Sequence, residues 1–308
     1  MSNLDLTVAQ IPLWRGELPT VLKNVRFQTE RALAQGKDRL AYTQCAFFVN
    51  HLRAAAFAKA LLPEHLQAAL EVIENASTGL TNLAGGNPPW YDVLCPALTA
   101  ELLSLSHRHD EALALCERAA HLAQTLWKEA LPRILRIGVV CLADADRWDQ
   151  MEPFLDNAER AAKEEEYLAE LATIQAFRVA YCAQRHAPEK VMNSALEALN
   201  ATFLEMNAPR VEGETWLTIQ PYLPLNLALP DLPTVVDQLL SQFLDMPMPE
   251  PASRCYEWLG DIHAARGDIA QAESCFRLAL GIFTRHGLRL RMPLVESKLQ
   301  ALPAPKAT

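Results

Sequence analysis

Hydrophobic residues recur at three- and four-residue steps along most of the chain. The clearest stripe, in the segment Glu111–Leu126, consists of Ala112, Leu115, Cys116, Ala119, Leu122, Ala123 and Leu126. This spacing places the apolar side chains on one face of an α-helix. Similar stripes predict helices at Val21–Leu33, Leu66–Ile73, Phe154–Ala162, Leu168–Tyr181, Val191–Phe203, Val235–Phe243 and Ala272–Phe283. No succession of alternating β-branched residues predicts a sheet, so the sequence predicts an all-α protein.

Prolines and glycines separate these stripes, as expected of residues that end or begin helices. The separating residues are Gly36, Pro63, Pro132, Pro188, Pro209, Pro230 and Gly267. The chain has only 11 glycines in 308 residues, and the pair Gly85 and Gly86 is followed by two prolines rather than by a lysine. That pair is therefore interpreted as a loop between helices and not as a phosphate-binding loop.

One segment, 253–286, has a specific helical-repeat pattern. Its characteristic residues are Tyr256, Leu259, Gly260, His263, Gly267, Ala272, Phe276 and Ala279. This spacing resembles the tetratricopeptide repeat (TPR), in which small residues let two antiparallel helices approach closely. Tyr256 and His263 stand where the family usually has Trp and Tyr, and Thr284 stands in place of the terminal Pro. The resemblance implies that Gly260, Ala272 and Phe276 are packed between the helices.

Weaker copies of the second helix of this repeat occur upstream. If Ala112, Met151, Val191 and Ala272 are equivalent, the steps between them are 39, 40 and 81 residues, and the last step holds a degenerate repeat near Val235. With further pairs toward the N-terminus, we expect six to seven repeats forming a single α-solenoid over residues 1–300, and a flexible tail at 301–308. The long period is similar to that of the TPR-like superhelices of bacterial transcription activators and signal-transduction ATPases.

The sequence contains none of the common catalytic or cofactor-binding motifs. Nucleotide-binding glycine motifs, the zinc-protease motif and the nucleophile elbow are all missing, so we expect a protein that is not an enzyme and has no cofactor or catalytic residue. The seven cysteines are at least 20 residues apart. His107 and His109 would point about 200° apart on a helix. A polar turn followed by a helix with Asp110 in its first turn is therefore expected there, rather than a metal site.

Charge and hydropathy narrow the possible partners. The formal net charge of −9 argues against direct nucleic-acid binding. No run of about 20 apolar residues could span a membrane, and Met1–Arg15 lacks the features of a signal peptide, so a cytoplasmic protein is expected.

The resemblance implies a scaffold that binds a protein or peptide partner on a concave face formed by the first helix of each pair, in a regulatory or assembly role. The predicted partner-binding residues are Glu101, Arg133, Arg136, Arg254, Glu257 and Asp261. Of these, Arg133, Arg136, Arg254 and Glu257 are expected to be exposed. Arg133 and Arg136 could grip a carboxylate or could simply be surface residues. The alternative is a small-molecule sensor or, less favoured, an enzyme, with the apolar stretch Trp216–Pro230 lining a pocket.

Overall fold

The computed structural model describes residues 17–36, 49, 52–53, 63–83, 89–224 and 232–303 of the 308-residue chain. Every regular element in these residues is an α-helix or a short 3₁₀ helix, and none of them lies in a β-strand. The prediction of an all-α protein is confirmed. The chain divides into two compact units, of which one ends at Gln175 and the other begins at Ala176.

The first unit is a succession of packed helices. Its complete helices are α1 (Leu18–Ala34), α2 (Pro63–Leu83), α3 (Pro89–Leu105), α4 (His109–Leu126), α5 (Leu131–Asp144) and α6 (Met151–Glu164). From α1 to α5 each of these helices packs against the one that follows it in this series, and α3 also packs against α5. Helix α7 (Leu168–Gln184) contains the point at which the chain divides.

The second unit has the same kind of packing. Its remaining helices are α8 (Glu189–Met206), α9 (Pro209–Ile219), α10 (Leu232–Asp245), α11 (Pro249–Ala265), α12 (Ile269–His286) and α13 (Met292–Gln300). From α9 to α13 each helix packs against the next one, and α9 also packs against α11. Helix α13 buries Val295 in a core cluster with Ala279, Phe283 and Leu288. This helix is therefore part of the core of the second unit.

The predicted breaks between helices fall where the residue types require them. Pro63 and Pro209 begin α2 and α9, positions at which the missing N–H of proline costs nothing. Helix α12 begins after Asp268, whose carboxylate accepts a hydrogen bond from the backbone N–H of Gln271. This is the cap that an Asp supplies at a helix N-terminus. Residues 84–88, where a glycine loop was predicted, lie outside the described part of the chain, as does most of the predicted tail at 301–308.

One turn geometry recurs between the helices of a pair. The second residue after the end of α3, α5, α7 and α11 is His107, Asp146, His186 and Gly267 respectively, each with a φ from 50° to 78°. In each turn the following N–H donates a 2.9 Å hydrogen bond to the carbonyl five residues earlier, as in the bond from Arg108 to Leu103. This is the Schellman motif. These four turns are separated by 39, 40 and 81 residues, the same steps that the sequence predicts for the repeat. The same hydrogen bond also occurs outside the pairs, at Tyr167 after α6 and at Leu288 after α12.

The predicted packing of the segment 253–286 is confirmed. Ala272 and Phe276 of α12 are at most 1% exposed. A Cβ atom added at Gly260 of α11 would lie at most 3.0 Å from three carbons of the Phe276 ring. Only glycine permits this approach of the two helices.

Two further helix pairs have the same close approach of a glycine to a phenylalanine. Gly138 of α5 faces Phe154 of α6, with the nearest ring carbon 3.0 Å from an added Cβ. Gly213 of α9 faces Phe243 of α10, again with three ring carbons within 3.0 Å. Gly138 and Phe154 are separated by 16 residues, as are Gly260 and Phe276. The close approach is therefore a shared feature of these pairs.

One position in the predicted repeat is wrong. Ala112, Met151 and Ala272 are fully buried, but Val191, the residue predicted to be equivalent to them, is 49% exposed. The turn before Val191 keeps the predicted spacing, but the buried side of α8 begins later, at Ala195.

Candidate functional site

The predicted partner-binding residues divide between the two units, three in each. In the first unit, Glu101 of α3 is 4% exposed. The guanidinium group of Arg136 on α5 is paired with the carboxylate of Glu170 on α7, and both side chains are largely buried. The expectation that Arg136 is freely exposed is therefore wrong, because its charge is used between helices.

A second polar contact in the first unit joins α3 to the end of α5. The hydroxyl of Ser104 donates a 2.8 Å hydrogen bond to a carboxylate oxygen of Asp144. The guanidinium group of Arg53 donates a bond of the same length to that oxygen. These side chains are buried or mostly covered, so they also stabilise the unit rather than present a free surface.

In the second unit, Glu257 lies at the centre of a buried ionic cluster. Arg291 donates two 2.9 Å hydrogen bonds to its carboxylate and Lys298 donates one of 2.7 Å. Lys298 also donates a 2.6 Å bond to Asp261. Glu257 is 1% exposed, so the expectation that it is exposed is wrong. Helix α13 covers it.

The electrostatics of this cluster follow from burial and pairing. Burial by itself raises the pKa of the Glu257 carboxyl, but Arg291 and Lys298 outweigh it and hold that pKa below its usual value. For Asp261, burial has the larger effect and raises the pKa, although Lys298 acts in the opposite direction. The cluster is a structural link between α11 and α13.

Arg254 is also mostly covered. Its guanidinium group donates a 2.7 Å hydrogen bond to the carbonyl of Leu217 on α9 and lies 4.0 Å from the carboxylate of Glu250. The expectation of a freely exposed Arg254 is wrong for the same reason as for Arg136, since both hold neighbouring helices together. Arg133, by contrast, lines an open cavity.

That cavity, which we call the linker groove, has a volume of about 480 Å³. It is formed by two connections between helices, the one before α5 and the one before α7, together with the first residues of these helices. Its lining consists of Trp127, Glu129, Ala130, Arg133, Glu166, Tyr167, Leu168, Ala169 and Glu170.

The linker groove combines aromatic and acidic side chains. Tyr167 is 42% exposed, and Trp127 is half-buried. The indole N–H of Trp127 donates a 3.1 Å hydrogen bond to the carboxylate of Glu129. Trp127 and Tyr167 are 40 residues apart, about one repeat. Their spacing of about one repeat is a signal in the sequence, although both residues lie in connections rather than on helix faces.

A second cavity, of about 540 Å³, lies in the first unit beside the turn between α3 and α4. His107 and His109 line it with their ring centroids 5.7 Å apart. The Nδ1 atom of His109 is buried and has no hydrogen-bond partner among the described residues, and burial lowers the pKa of this imidazole. Asp110 lies in the first turn of α4, so the predicted polar turn is confirmed. The described residues contain no cluster of three or more potential metal ligands.

The apolar stretch that was expected to line a pocket is core in its described part. Trp216, Leu217 and Ile219 are buried in the second unit. Residues 225–231 lie outside the described part of the chain.

Comparisons with known proteins identify no family. No protein-family model matches the sequence, and no curated protein matches it. Among solved structures, the crystal structure of BtubC (BKLC) from P. vanneervenii is similar over 93% of this chain and 96% of that chain, with 16% sequence identity and a TM-score of 0.40. Because the TM-score is below 0.5, this similarity indicates neither the family nor the function of this chain. None of the described helices is long and apolar enough to cross a membrane.

Proposed function

We propose that this chain is a non-enzymatic protein- or peptide-binding scaffold, built as a TPR-like α-solenoid and acting as a cytoplasmic regulatory or assembly module. The partner-binding surface in this proposal is the linker groove, with Arg133 as the one residue shared with the predicted concave face. The other five predicted residues would hold the scaffold together.

The repetition of local geometry supports the solenoid part of the proposal. Hydrogen bonds within each unit join residues about one helix pair apart, as from Arg136 to Glu170, 34 residues on, and from Arg254 to Leu217, 37 residues back. The Schellman turns that join the two helices of a pair recur at steps of 39, 40 and 81 residues. Repeats that contact only their neighbours are what a solenoid requires.

The exposure of Tyr167 at an open groove is the observation that supports partner binding. Large side chains are usually buried where the fold can bury them, and aromatic residues are enriched where proteins bind partners. Tyr167 instead shares the groove with the half-buried Trp127. An aromatic-lined groove between repeats suits an extended peptide segment.

Selection from a random peptide library tests this proposal. Peptides of twelve residues selected on the wild-type protein are expected to lose most of their binding to the Tyr167→Ala variant. The matched control is Leu204→Ala, which removes a large apolar side chain that is 82% exposed on α8, outside the groove. The proposal is wrong if no peptide is enriched, or if the enriched peptides bind Tyr167→Ala as well as they bind the wild type.

The alternative function, a small-molecule sensor, has one observation in its favour. The cavity beside His109 is large enough for a small metabolite, and the buried Nδ1 atom of His109 has no hydrogen-bond partner in the part of the chain that the structure describes. Native mass spectrometry of the purified protein would test it: a bound molecule retained by the wild type and lost in His109→Ala would favour the sensor, and the absence of one would favour the scaffold.

A further inference from the structure

We infer that the linker groove binds an arginine side chain of the partner segment, so that the partner is a basic peptide. This inference rests on the proposed function and specifies the chemistry of the partner. It differs from the expectation that Arg133 and Arg136 grip a carboxylate.

The side chains that line the groove are mainly acidic. Three carboxylates, those of Glu129, Glu166 and Glu170, face a single guanidinium group, that of Arg133. Arg136 already pairs with Glu170 from outside the lining. The lining therefore carries net negative charge and favours a cationic occupant.

Two of these carboxylates, those of Glu129 and Glu166, remain available to bind a cation. Glu129 and Glu166 form no ion pair with any described residue, and the carboxylate of Glu129 is held beside the indole of Trp127 by its hydrogen bond. A guanidinium group can donate two parallel hydrogen bonds to such a carboxylate.

The aromatic rings of Trp127 and Tyr167 favour arginine as the cation. A guanidinium group is planar and weakly hydrated, so it stacks on aromatic faces, and cation–π contacts are strongest with Trp and Tyr. Trp127 and Tyr167 supply both ring types at the same cavity as the two carboxylates. Lysine would satisfy the charge but not the planar stacking, which is why the inference specifies arginine.

The test is a fluorescence-anisotropy titration of the full-length protein with a fluorescein-labelled tetra-arginine amide. A tetra-citrulline amide, which has nearly the same shape without the charge, is the matched ligand. We expect the arginine peptide to bind at least tenfold more tightly, with an affinity that falls as salt is raised. A free arginine amide is expected to bind much more weakly, because it lacks the rest of the peptide.

Variants separate the groove from general surface charge. Tyr167→Ala should weaken binding about two- to fivefold through loss of the cation–π contact, and Tyr167→Phe should keep wild-type affinity. The double variant Glu129→Gln/Glu166→Gln should weaken binding at least twofold. The control Glu197→Gln/Glu205→Gln changes the net charge equally at exposed positions of α8 and should leave binding unchanged.

The possible results distinguish this inference from the function on which it rests. If the control pair weakens tetra-arginine binding as much as the groove pair, or if tetra-citrulline binds equally well, the arginine site is wrong. If library peptides bind in a Tyr167-dependent way while tetra-arginine does not bind, the arginine site is wrong and the scaffold function stands. If neither kind of peptide binds at the groove, both are wrong.

Discussion

The close approach of α11 to α12 at Gly260 makes the packing of the repeat quantitatively testable. In the substitution Gly260→Ala, the new methyl group would overlap three carbons of the buried Phe276 ring. Replacing Gly by Ala in a helix by itself stabilises by about 0.5–1 kcal/mol. Overpacking of a core costs about 1–3 kcal/mol. The overlap is severe, so we expect the cost of overpacking to exceed the helix-propensity gain and the free energy of unfolding to fall by about 1–2 kcal/mol.

Two other glycines calibrate this prediction. Gly281 lies within α12, and an added Cβ there meets no atom within 4 Å, so Gly281→Ala should stabilise by about 0.5–1 kcal/mol. Gly138→Ala meets the Phe154 ring at 3.0 Å and should fall between the two. In the double variant Gly260→Ala/Phe276→Leu, removal of the ring relieves the overlap, so the two effects should not be additive.

The assay is equilibrium unfolding in urea followed by the helical circular-dichroism signal, with the midpoints compared at equal m-values. The packing described for α11 and α12 is refuted if Gly260→Ala stabilises the protein as much as Gly281→Ala does. It is also refuted if Phe276→Leu and Gly260→Ala are strictly additive.

Three further predictions follow from the buried charges and turns. Glu257→Leu leaves the buried Arg291 without its partner and should cost about 3–5 kcal/mol in urea unfolding, whereas an effect below 1 kcal/mol would contradict the buried cluster. Gly267→Ala has space for its Cβ but keeps a φ of 78°, so it should cost about 1–2 kcal/mol, and a neutral result would contradict the left-handed turn. The lowered pKa of His109 means that its neutral form is stabilised by folding, so the stability that this residue contributes is present above pH about 6.5 and is lost on acidification. His109→Gln should reduce the loss of thermal stability between pH 7.5 and 5.5, and an unchanged loss would contradict this burial.

The helices could be predicted from the sequence because they depend on local pattern. The apolar stripe of Glu111–Leu126 corresponds to a helix that begins two residues earlier, at His109. The packing at Gly260 could be predicted because a specific motif carries it. The exposure of Val191 could not, since it depends on where the buried side of α8 begins within a repeat of variable length.

The candidate site was harder to predict, and the reason is long-range pairing. Glu257 is buried because Arg291, 34 residues further on, reaches its carboxylate, and nothing in the local pattern indicates that bond. A charged residue on a first helix can equally face a partner or a neighbouring helix. The linker groove was missed because Trp127 and Tyr167 lie in connections rather than on the helix faces that the repeat motif describes.

The most direct test of the partner-binding groove is the indole N–H region of the two-dimensional ¹H–¹⁵N spectrum during titration with a peptide selected from the library. The resonance of Trp127, identified by its absence in Trp127→Phe, lies in the groove and should shift progressively with peptide concentration. The indole N–H of Trp258, buried in the second unit, serves as the internal reference and should stay in place. An unmoved Trp127 resonance at saturating peptide would contradict the groove as the binding site.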